Sequence, residues 1–277
     1  MSEREPPDAR ELLLDPPELP PDDERWRALL TGAGPHIGRM RRVRALIPSS
    51  PRCKLCAAPF SGIGGAVMAR TGHRPWAKNP KYCTGCFETL RSRHGGAEIE
   101  CSFLFADVRG STPMAERLSM LEFTRLMGRF YDRASEVLVD HSAIVDKFVG
   151  DEVIGIFVPV LAGDAHAARA IAAARALLRA TGHGDAAGPW LPVGVGVNTG
   201  TAYVGAVGSG LDTELSALGD VVNVTARLAS VAGPGEILVA SAAAIAARLG
   251  TESRERRTLQ LRGKTDTTEV VVLSVSG

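Results

Sequence analysis

The sequence has no uncharged apolar run as long as the ~18 residues that a membrane-spanning helix needs. The alanine-rich stretch at residues 165–180 comes nearest, but Arg169, Arg175 and Arg179 interrupt it. A surplus of either charge is also missing, because 32 Lys and Arg residues face 31 Asp and Glu residues. We therefore predict neither a membrane nor a nucleic-acid partner. The acidic, proline-rich beginning is unlike a signal peptide, so we expect a cytoplasmic protein.

Cysteine is scarce, and four of the five cysteines form two C-x-x-C pairs. Two thiolates at such a spacing can bind one metal ion, and a second pair completes a tetrahedral shell. We therefore predict a zinc-ribbon-like metal module at residues 51–95, with the ligands Cys53, Cys56, Cys83 and Cys86. Zinc is the expected metal, with an iron–sulfur cluster or redox-active thiols as alternatives. The segment between the pairs is rich in glycine and proline, so the bound metal would supply folding energy.

The chain ahead of this module shows little regular pattern. Residues 1–25 combine three Pro-Pro pairs with many acids, which predicts a flexible tail. Residues 26–50 read as a basic helical segment, with a short helix from Asp23 to about Leu30. The run R-M-R-R-V-R-A-L at 39–46 is typical of a solvated helix face, and less often of a phosphate- or membrane-binding patch.

From residue 98 to 277, apolar strands alternate with amphipathic helices in the order β-α-β-β-α-β-β-α-β-α-β-β. Two hairpins are predicted, one at Gly150-Asp151 and one at N-T-G-T (198–201), between strands at 191–197 and 202–207. This order predicts an α+β fold, in which a ferredoxin-like antiparallel sheet carries helices packed on one face.

Two aspartates stand where predicted strands end. Asp107 closes the run F-L-F-A-D, and Asp151 closes V-D-K-F-V-G-D. If the strands are neighbours, the two carboxylates repel each other at one edge of the sheet, and a cation is the natural occupant of the gap. Hard oxygen ligands suit Mg²⁺ or Mn²⁺, and such sites commonly serve phosphate chemistry. The alternative interpretation makes Asp107 a helix cap and Gly150-Asp151 a turn.

Further polar groups accompany the aspartates. Lys147 precedes Asp151 by four residues, and Asn223 and Arg227 are spaced to share one helix face. The glycine-rich run at 194–200 is weak as a dinucleotide-binding signal, because its strand is predicted to lead into a hairpin rather than a helix. These glycines are instead expected to let a strand edge or a partner subunit approach the backbone closely.

Four blocks of this sequence resemble the signature blocks of the class III adenylate/guanylate cyclase catalytic domain. They are F-L-F-A-D-V-R-G-S-T, V-D-K-F-V-G-D, V-G-V-G-V-N-T-G and A-L-G-D-V-V-N-V-T-A-R-L. The resemblance spans about residues 98–275, with the blocks in the family's order and spacing. It implies that Asp107 and Asp151 bind two divalent ions, Mg²⁺ or Mn²⁺, against a nucleoside triphosphate.

The resemblance also implies roles for the other groups. Lys147 matches a lysine that reads adenine, and Ser216 stands at the second base-reading position, where the family's adenylate cyclases carry Asp or Thr. Because guanine O6 would also accept from lysine, the pair favours ATP without excluding GTP. Asn223 matches the residue that orients the ribose, and Arg227 matches the one that stabilises the pentavalent phosphorus. Lys264 lies near a lysine that contacts the terminal phosphates.

In this family the metal-binding aspartates and the Asn/Arg pair of one site come from different subunits, which implies a homodimer here. The expected function is an adenylate cyclase that forms cyclic AMP and pyrophosphate, with the metal module as a candidate regulator. A guanylate cyclase and a non-catalytic nucleotide sensor or interaction protein are the alternatives.

Overall fold

The structure is a computed structural model that describes residues 23–33, 40, 43–44, 46–47, 49, 51–53, 56–77, 79–91, 95–207, 214–250, 254–262, 264 and 266–275. The tail predicted for residues 1–25 lies outside these ranges except for its last three residues. The basic run at 39–46 is described only in part. Within the described chain, no helix is both long enough and apolar enough to cross a membrane.

The first helix, α1 (Glu24–Thr31), begins where the sequence predicts, because the Asp23 side chain accepts a hydrogen bond from the backbone N–H of Arg25. The cysteine module (residues 51–95) follows and contains two helices around a short antiparallel hairpin. Its elements are α2 (Gly62–Arg70), β1 (Pro75–Trp76), β2 (Asn79–Cys83) and α3 (Thr84–Arg91).

Eight strands of the described chain form one sheet in the order β4-β5-β3-β6-β8-β10-β9, and β7 pairs with the far half of β6. Every pairing in it is antiparallel except that of β6 with β8. The strands are β3 (Gly96–Val108), β4 (Ile144–Val149), β5 (Glu152–Phe157), β6 (Val193–Val207), β7 (Glu214–Leu218), β8 (Ile237–Ala240), β9 (Arg256–Leu259) and β10 (Thr268–Leu273).

In the part of the chain that the structure describes, six helices connect these strands: α4 (Ser111–Arg117), α5 (Met120–Asp140), α6 (Pro159–Ala162), α7 (His166–Ala180), α8 (Asp220–Val231) and α9 (Ser241–Ala246). The longest, α5, begins with a capping box between Ser119 and Glu122. Its buried residues recur every three or four positions, as in a helix with one apolar face; they are Met127, Phe130, Ala134 and Leu138.

The two faces of the sheet bury different partners. On β3, Leu104 and Ala106 belong to the core cluster that includes residues of α5, α7 and α9. The alternate residues Phe103 and Phe105 pack in a second cluster with α1, the cysteine module and α8. The predicted α+β fold with a largely antiparallel sheet is thus confirmed. The prediction that helices cover one face of the sheet is too narrow, because β3 is apolar on both faces and its second face packs against α1, α8 and the cysteine module.

The hairpin predicted at 198–201 is wrong, because β6 runs unbroken for 15 residues. Its partner β3 pairs with it from Gly96 opposite Gly205 to Val108 opposite Val193. This continuous ladder satisfies the backbone through the N-T-G-T segment, and Asn198 is 7% exposed. Turn-forming residue types are therefore held extended by a long neighbouring strand.

Candidate active site

The two predicted metal-binding aspartates lie at the same end of the sheet. Asp107 is placed opposite Glu152 in the β3–β5 register, and the backbone N–H of Val108 donates to the carbonyl of Asp151 at 3.2 Å. Gly150 precedes Asp151 with φ +60°, a conformation that glycine adopts without steric cost. The β4–β5 turn therefore brings Asp151 alongside the end of β3.

The electrostatics of this end favour a positive charge. The Arg109 guanidinium forms an ion pair with the Asp107 carboxylate and donates to the Ser230 carbonyl at 2.6 Å. Burial, together with the nearby negative charge of Asp151, raises the pKa of Glu152 to about 7. The carboxylate oxygens are partly exposed and already attract a guanidinium. Oxygen ligands of this kind are the ones that Mg²⁺ and Mn²⁺ prefer. The residues present therefore fit a divalent cation.

The predicted base-reading residues meet at a third side chain, Asp146. Ser216 in β7 donates its hydroxyl to Asp146 Oδ2 at 3.0 Å, and Lys147 Nζ lies 3.8 Å from the same oxygen. Sequence reasoning missed Asp146. Its position two residues after the buried Ile144 is a weak signal, because the pairing of β4 with β5 is irregular between Val145 and Phe148.

Helix α8 carries the predicted ribose and phosphate groups. Asn223 is exposed and Arg227 is partly exposed, and neither side chain bonds to another part of the chain that the structure describes. Lys264 Nζ is 2.6 Å from the carboxylate of Asp220 in the first turn of the same helix. The fold therefore brings Lys264 to α8, and Asp220 is a partner that the sequence did not indicate.

The glycines of β6 explain how α8 reaches the sheet. A Cβ atom on Gly196 would lie 2.6 Å from both the Thr225 carbonyl oxygen and the Ala229 nitrogen. The backbone of α8 therefore rests directly on the strand, which any side chain would prevent. The expected close approach is present, but the approaching element is α8 rather than a strand edge or a partner subunit.

The four cysteines of the C-x-x-C pairs converge, and their Sγ atoms all lie within 4.8 Å of one another. Cys83 Sγ is 3.5 Å from Cys56 Sγ and 3.3 Å from Cys86 Sγ. A tetrahedral zinc shell with Zn–S bonds of ~2.3 Å places its sulfurs about 3.8 Å apart. Hydrogen bonds from the other three thiols lower the pKa of Cys53. The cluster has the spacing and chemistry to hold a metal ion.

The cysteine module is packed against the eight-stranded sheet. Cys53 and Cys83 are buried in the same apolar cluster as Ile99 and Phe103 of β3. As expected for a core thiol outside the metal set, Cys101 is fully buried, and burial raises its pKa to about 12. On another side, the β1–β2 hairpin shares a cavity of about 590 Å³ with β4; its lining includes Ala77, Pro80, Asp146 and Lys147.

Comparison with known proteins identifies the family of the part of the chain that forms the large sheet. Residues 97–274 match the model of the adenylate and guanylate cyclase catalytic domain. An uncharacterized protein of Mycobacterium tuberculosis is 31% identical over 182 residues, 64% of this chain and 33% of that protein. Adenylate cyclase 1 of Rhizobium meliloti is 31% identical over 148 residues, 50% of this chain and 22% of that protein. The chain thus spans a third or less of these relatives.

Solved structures show the same fold. The crystal structure of the guanylyl cyclase Cya2 has a TM-score of 0.57 and 29% identity, covering 64% of this chain and 93% of that one. That of the adenylyl cyclase CyaB from P. aeruginosa has a TM-score of 0.56 and 24% identity, covering 65% of this chain and 96% of that one. Class III cyclases use divalent metal ions, which suits the two carboxylates at the end of β3. The family model matches this chain from the first strand of the large sheet to the last. The chain therefore belongs to the family of adenylate and guanylate cyclase catalytic domains.

Proposed function

We propose that this chain is an adenylate cyclase, which converts ATP to 3′,5′-cyclic AMP and pyrophosphate. The observation that carries the choice of ATP is the convergence of Lys147 and Ser216 on Asp146, although 70 residues separate Asp146 from Ser216. This places a lysine and a hydroxyl side by side, as the recognition of one edge of a purine requires. The similarity to the Rhizobium adenylate cyclase supports the same choice.

The reaction joins the ribose 3′-oxygen to the α-phosphorus while the bond from that phosphorus to the β-phosphate oxygen breaks. The 3′-hydroxyl proton passes to solvent and pyrophosphate leaves. Asp107 and Asp151 would hold divalent ions, which when bound lower the 3′-hydroxyl pKa and neutralise phosphate charge. Arg227 presents a rigid fork of donors to the charge that grows on the α-phosphoryl oxygens.

The remaining polar groups of α8 position the substrate. Asn223 offers an amide on the same helix face as Arg227, one turn earlier, where it orients the ribose. Lys264 is held beside this helix by Asp220, whose side chain is 68% exposed. An exposed ion pair contributes only about 0–1 kcal/mol. Lys264 can therefore exchange this carboxylate for the terminal phosphates at little cost.

A homodimer is part of the proposal, because the family builds each site from two subunits. Apolar side chains lie exposed near the groups that a partner would complete. Phe148 and Val149 are 43% and 52% exposed at the tip of the β4–β5 hairpin, and Val231 is 55% exposed at the end of α8. Exposed apolar side chains at these two places favour surfaces that another protein covers.

For the cysteine module we propose a single structural zinc ion and a regulatory role. A multi-iron cluster places iron and sulfide between its thiolates, whereas these four sulfurs lie within 4.8 Å of one another. The hairpin of the module borders Lys147 across a shared cavity. A change in metal occupancy would therefore act on the base-reading end of the site.

A guanylate cyclase is the second candidate, and the similarity to the guanylyl cyclase Cya2 favours it. One assay separates the possibilities: purified full-length chain is incubated with Mn²⁺ and either ATP or GTP, with Asp107→Asn as the inactive control. Formation of cyclic AMP in excess of cyclic GMP supports the proposal. An excess of cyclic GMP would show a guanylate cyclase, and no product from either nucleotide would favour a non-catalytic nucleotide sensor.

A further inference from the structure

Asp146 is a buried carboxylate in β4 that lies between the two base-reading side chains. Its Oδ2 atom accepts a hydrogen bond from Ser216 Oγ at 3.0 Å and lies 3.8 Å from Lys147 Nζ. Only 4% of the Asp146 side chain is exposed, against 46% of the Lys147 side chain. One buried oxygen therefore contacts both groups, and the lysine extends from it towards the surface.

The direction of the Ser216 hydrogen bond determines what this serine can offer to a base. A hydroxyl has one hydrogen to donate and two lone pairs that accept. Because a carboxylate only accepts, Asp146 engages the Ser216 hydrogen, and a base that approaches Ser216 meets an acceptor. Ser216 is 5% exposed, so water competes poorly for that hydrogen.

This orientation separates adenine from guanine. Adenine carries a donating amine at C6, whereas guanine carries an accepting oxygen at the same place. Lys147 does not make this distinction by itself, because an ammonium group donates to adenine N1 and to guanine O6 alike. The base preference therefore depends on the Ser216 hydrogen, and through it on Asp146.

We propose that Asp146 is a positioning residue that selects ATP over GTP, by holding Ser216 as a hydrogen-bond acceptor and Lys147 beside it. The proposal rests on the proposed cyclase function and adds the residue that sets its base preference. Asp146 acts through Ser216 and Lys147 and needs no contact with the nucleotide itself.

The test compares kcat/KM for ATP with kcat/KM for GTP in the full chain with Mn²⁺. In Asp146→Ala the Ser216 hydrogen is released and can serve guanine O6, so the ATP-to-GTP ratio falls by about tenfold or more. The control Asp132→Asn removes an exposed acid from α5 and keeps the wild-type ratio. Equal losses with both nucleotides in Asp146→Ala, which leave the ratio unchanged, would overturn the proposal.

A second experiment, in the Ser216→Ala variant, distinguishes an effect on the orientation of the hydroxyl from a general effect of the Asp146 charge. Once Ser216→Ala has removed the hydroxyl, adding Asp146→Ala changes the ratio by less than about twofold. An equal tenfold fall in both backgrounds would show that Asp146 does not act through Ser216. If Asp146→Ala fails to fold, Asp146→Asn keeps the side-chain volume and its amide can donate, so we expect a fall of about threefold; an unchanged ratio there contradicts the proposal.

The inference can fail separately from the proposed function. If the wild-type chain forms no cyclic product, the cyclase proposal fails, and Asp146 is then tested by equilibrium binding of non-hydrolysable ATP and GTP analogues. Tighter binding of the ATP analogue that is lost in Asp146→Ala supports the role of Asp146. Equal affinities of the wild-type chain for the two analogues overturn it.

Discussion

Ser216 and Asp146 form a buried hydrogen bond at 3.0 Å, although β5, β3 and β6 lie between their strands in the order of the sheet. In a flat sheet, four strand spacings of about 4.8 Å would keep β4 and β7 roughly 19 Å apart. The β6–β7 pair must therefore bend back over the sheet towards β4. This curvature assembles the base-reading end of the site from two distant parts of the chain.

Arg227→Ala tests the role of the guanidinium in the reaction. We expect kcat with ATP to fall by about a hundredfold or more, equivalent to roughly 3 kcal/mol of transition-state stabilisation. The KM for ATP should change little, because the charge that Arg227 meets grows only during the reaction. Arg227→Lys should not restore the rate, since a single ammonium cannot replace a planar fork of donors.

The control for this variant is Arg125→Ala, which removes an exposed arginine from α5 and should keep the wild-type kcat. Steady-state kinetics of all three variants at saturating Mn²⁺ provide the measurement. A kcat for Arg227→Ala within tenfold of wild type would remove Arg227 from the chemical step.

Two glycine substitutions distinguish the close contact of α8 with β6 from the general effect of glycine on helix stability. In Gly196→Ala the new Cβ would collide with the Ala229 nitrogen and the Thr225 carbonyl oxygen, both at 2.6 Å. We expect a loss of about 2–3 kcal/mol in the free energy of unfolding, with a fall in cyclase activity because α8 carries Asn223 and Arg227.

The matched control is Gly128→Ala in α5, where a Cβ meets nothing within 4 Å. Alanine there should stabilise the helix by about 0.5–1 kcal/mol. Urea unfolding curves of both variants measure the difference. Similar stabilities for the two variants would mean that α8 does not rest on Gly196.

The cysteine module should contain about one zinc ion per chain, as expected for a closed four-thiolate site. Replacing Cys53 and Cys56 by Ser removes half of the ligands, so we expect loss of the metal and a lower thermal midpoint. Cys101→Ala, which changes a buried thiol outside the cluster, should keep its metal. Elemental analysis and thermal melts provide the readouts, and full zinc content in the double Ser variant would exclude the four-cysteine site.

His183 should contribute stability to the fold that is lost in mild acid. Burial lowers the pKa of this imidazole, and its Nε2 accepts the backbone N–H of Val193 at 3.0 Å, which the protonated form could not do. Because the folded pKa is below the unfolded value of about 6.5, the unfolded chain binds more protons. The contribution is present above pH ~6.5 and is lost as the pH falls through the folded pKa.

Urea midpoints at pH 7.5 and pH 5.5 measure this effect. A glutamine at this position can still accept the Val193 N–H but does not titrate, so His183→Gln should lose less stability between the two values than the wild type. An equal loss in both proteins would assign the acid sensitivity to other groups.

Much of the fold was predictable because local patterns and the long-range structure agree. The start of α1 at Asp23 and the turn at Gly150 both depend on short-range chemistry. The hairpin at 198–201 was predicted wrongly for the opposite reason. Its residue types favour a turn, but pairing with the whole of β3 overrides that preference, and a short window cannot detect such pairing.

The candidate site also has features that the sequence predicts and contacts that it does not. The positions of Asp107 and Asp151 at strand ends follow from the sequence, and Lys147 was identified by resemblance to the family. The contact between Asp146 and Ser216 depends on the curvature of the sheet, and the pairing of Lys264 with Asp220 joins residues 44 positions apart. Such contacts arise only when the chain is folded, so residue spacing alone did not reveal them.

The central claim is an ATP-cyclising site that two copies of this chain share. The most direct measurement mixes inactive Asp107→Ala protein with inactive Arg227→Ala protein and assays cyclic AMP. In an equimolar mixture, half of the dimers combine both variants, and each of these has one intact site. We therefore predict recovery of about a quarter of the wild-type activity. A mixture of freely exchanging subunits that stays as inactive as either variant alone would contradict the shared site.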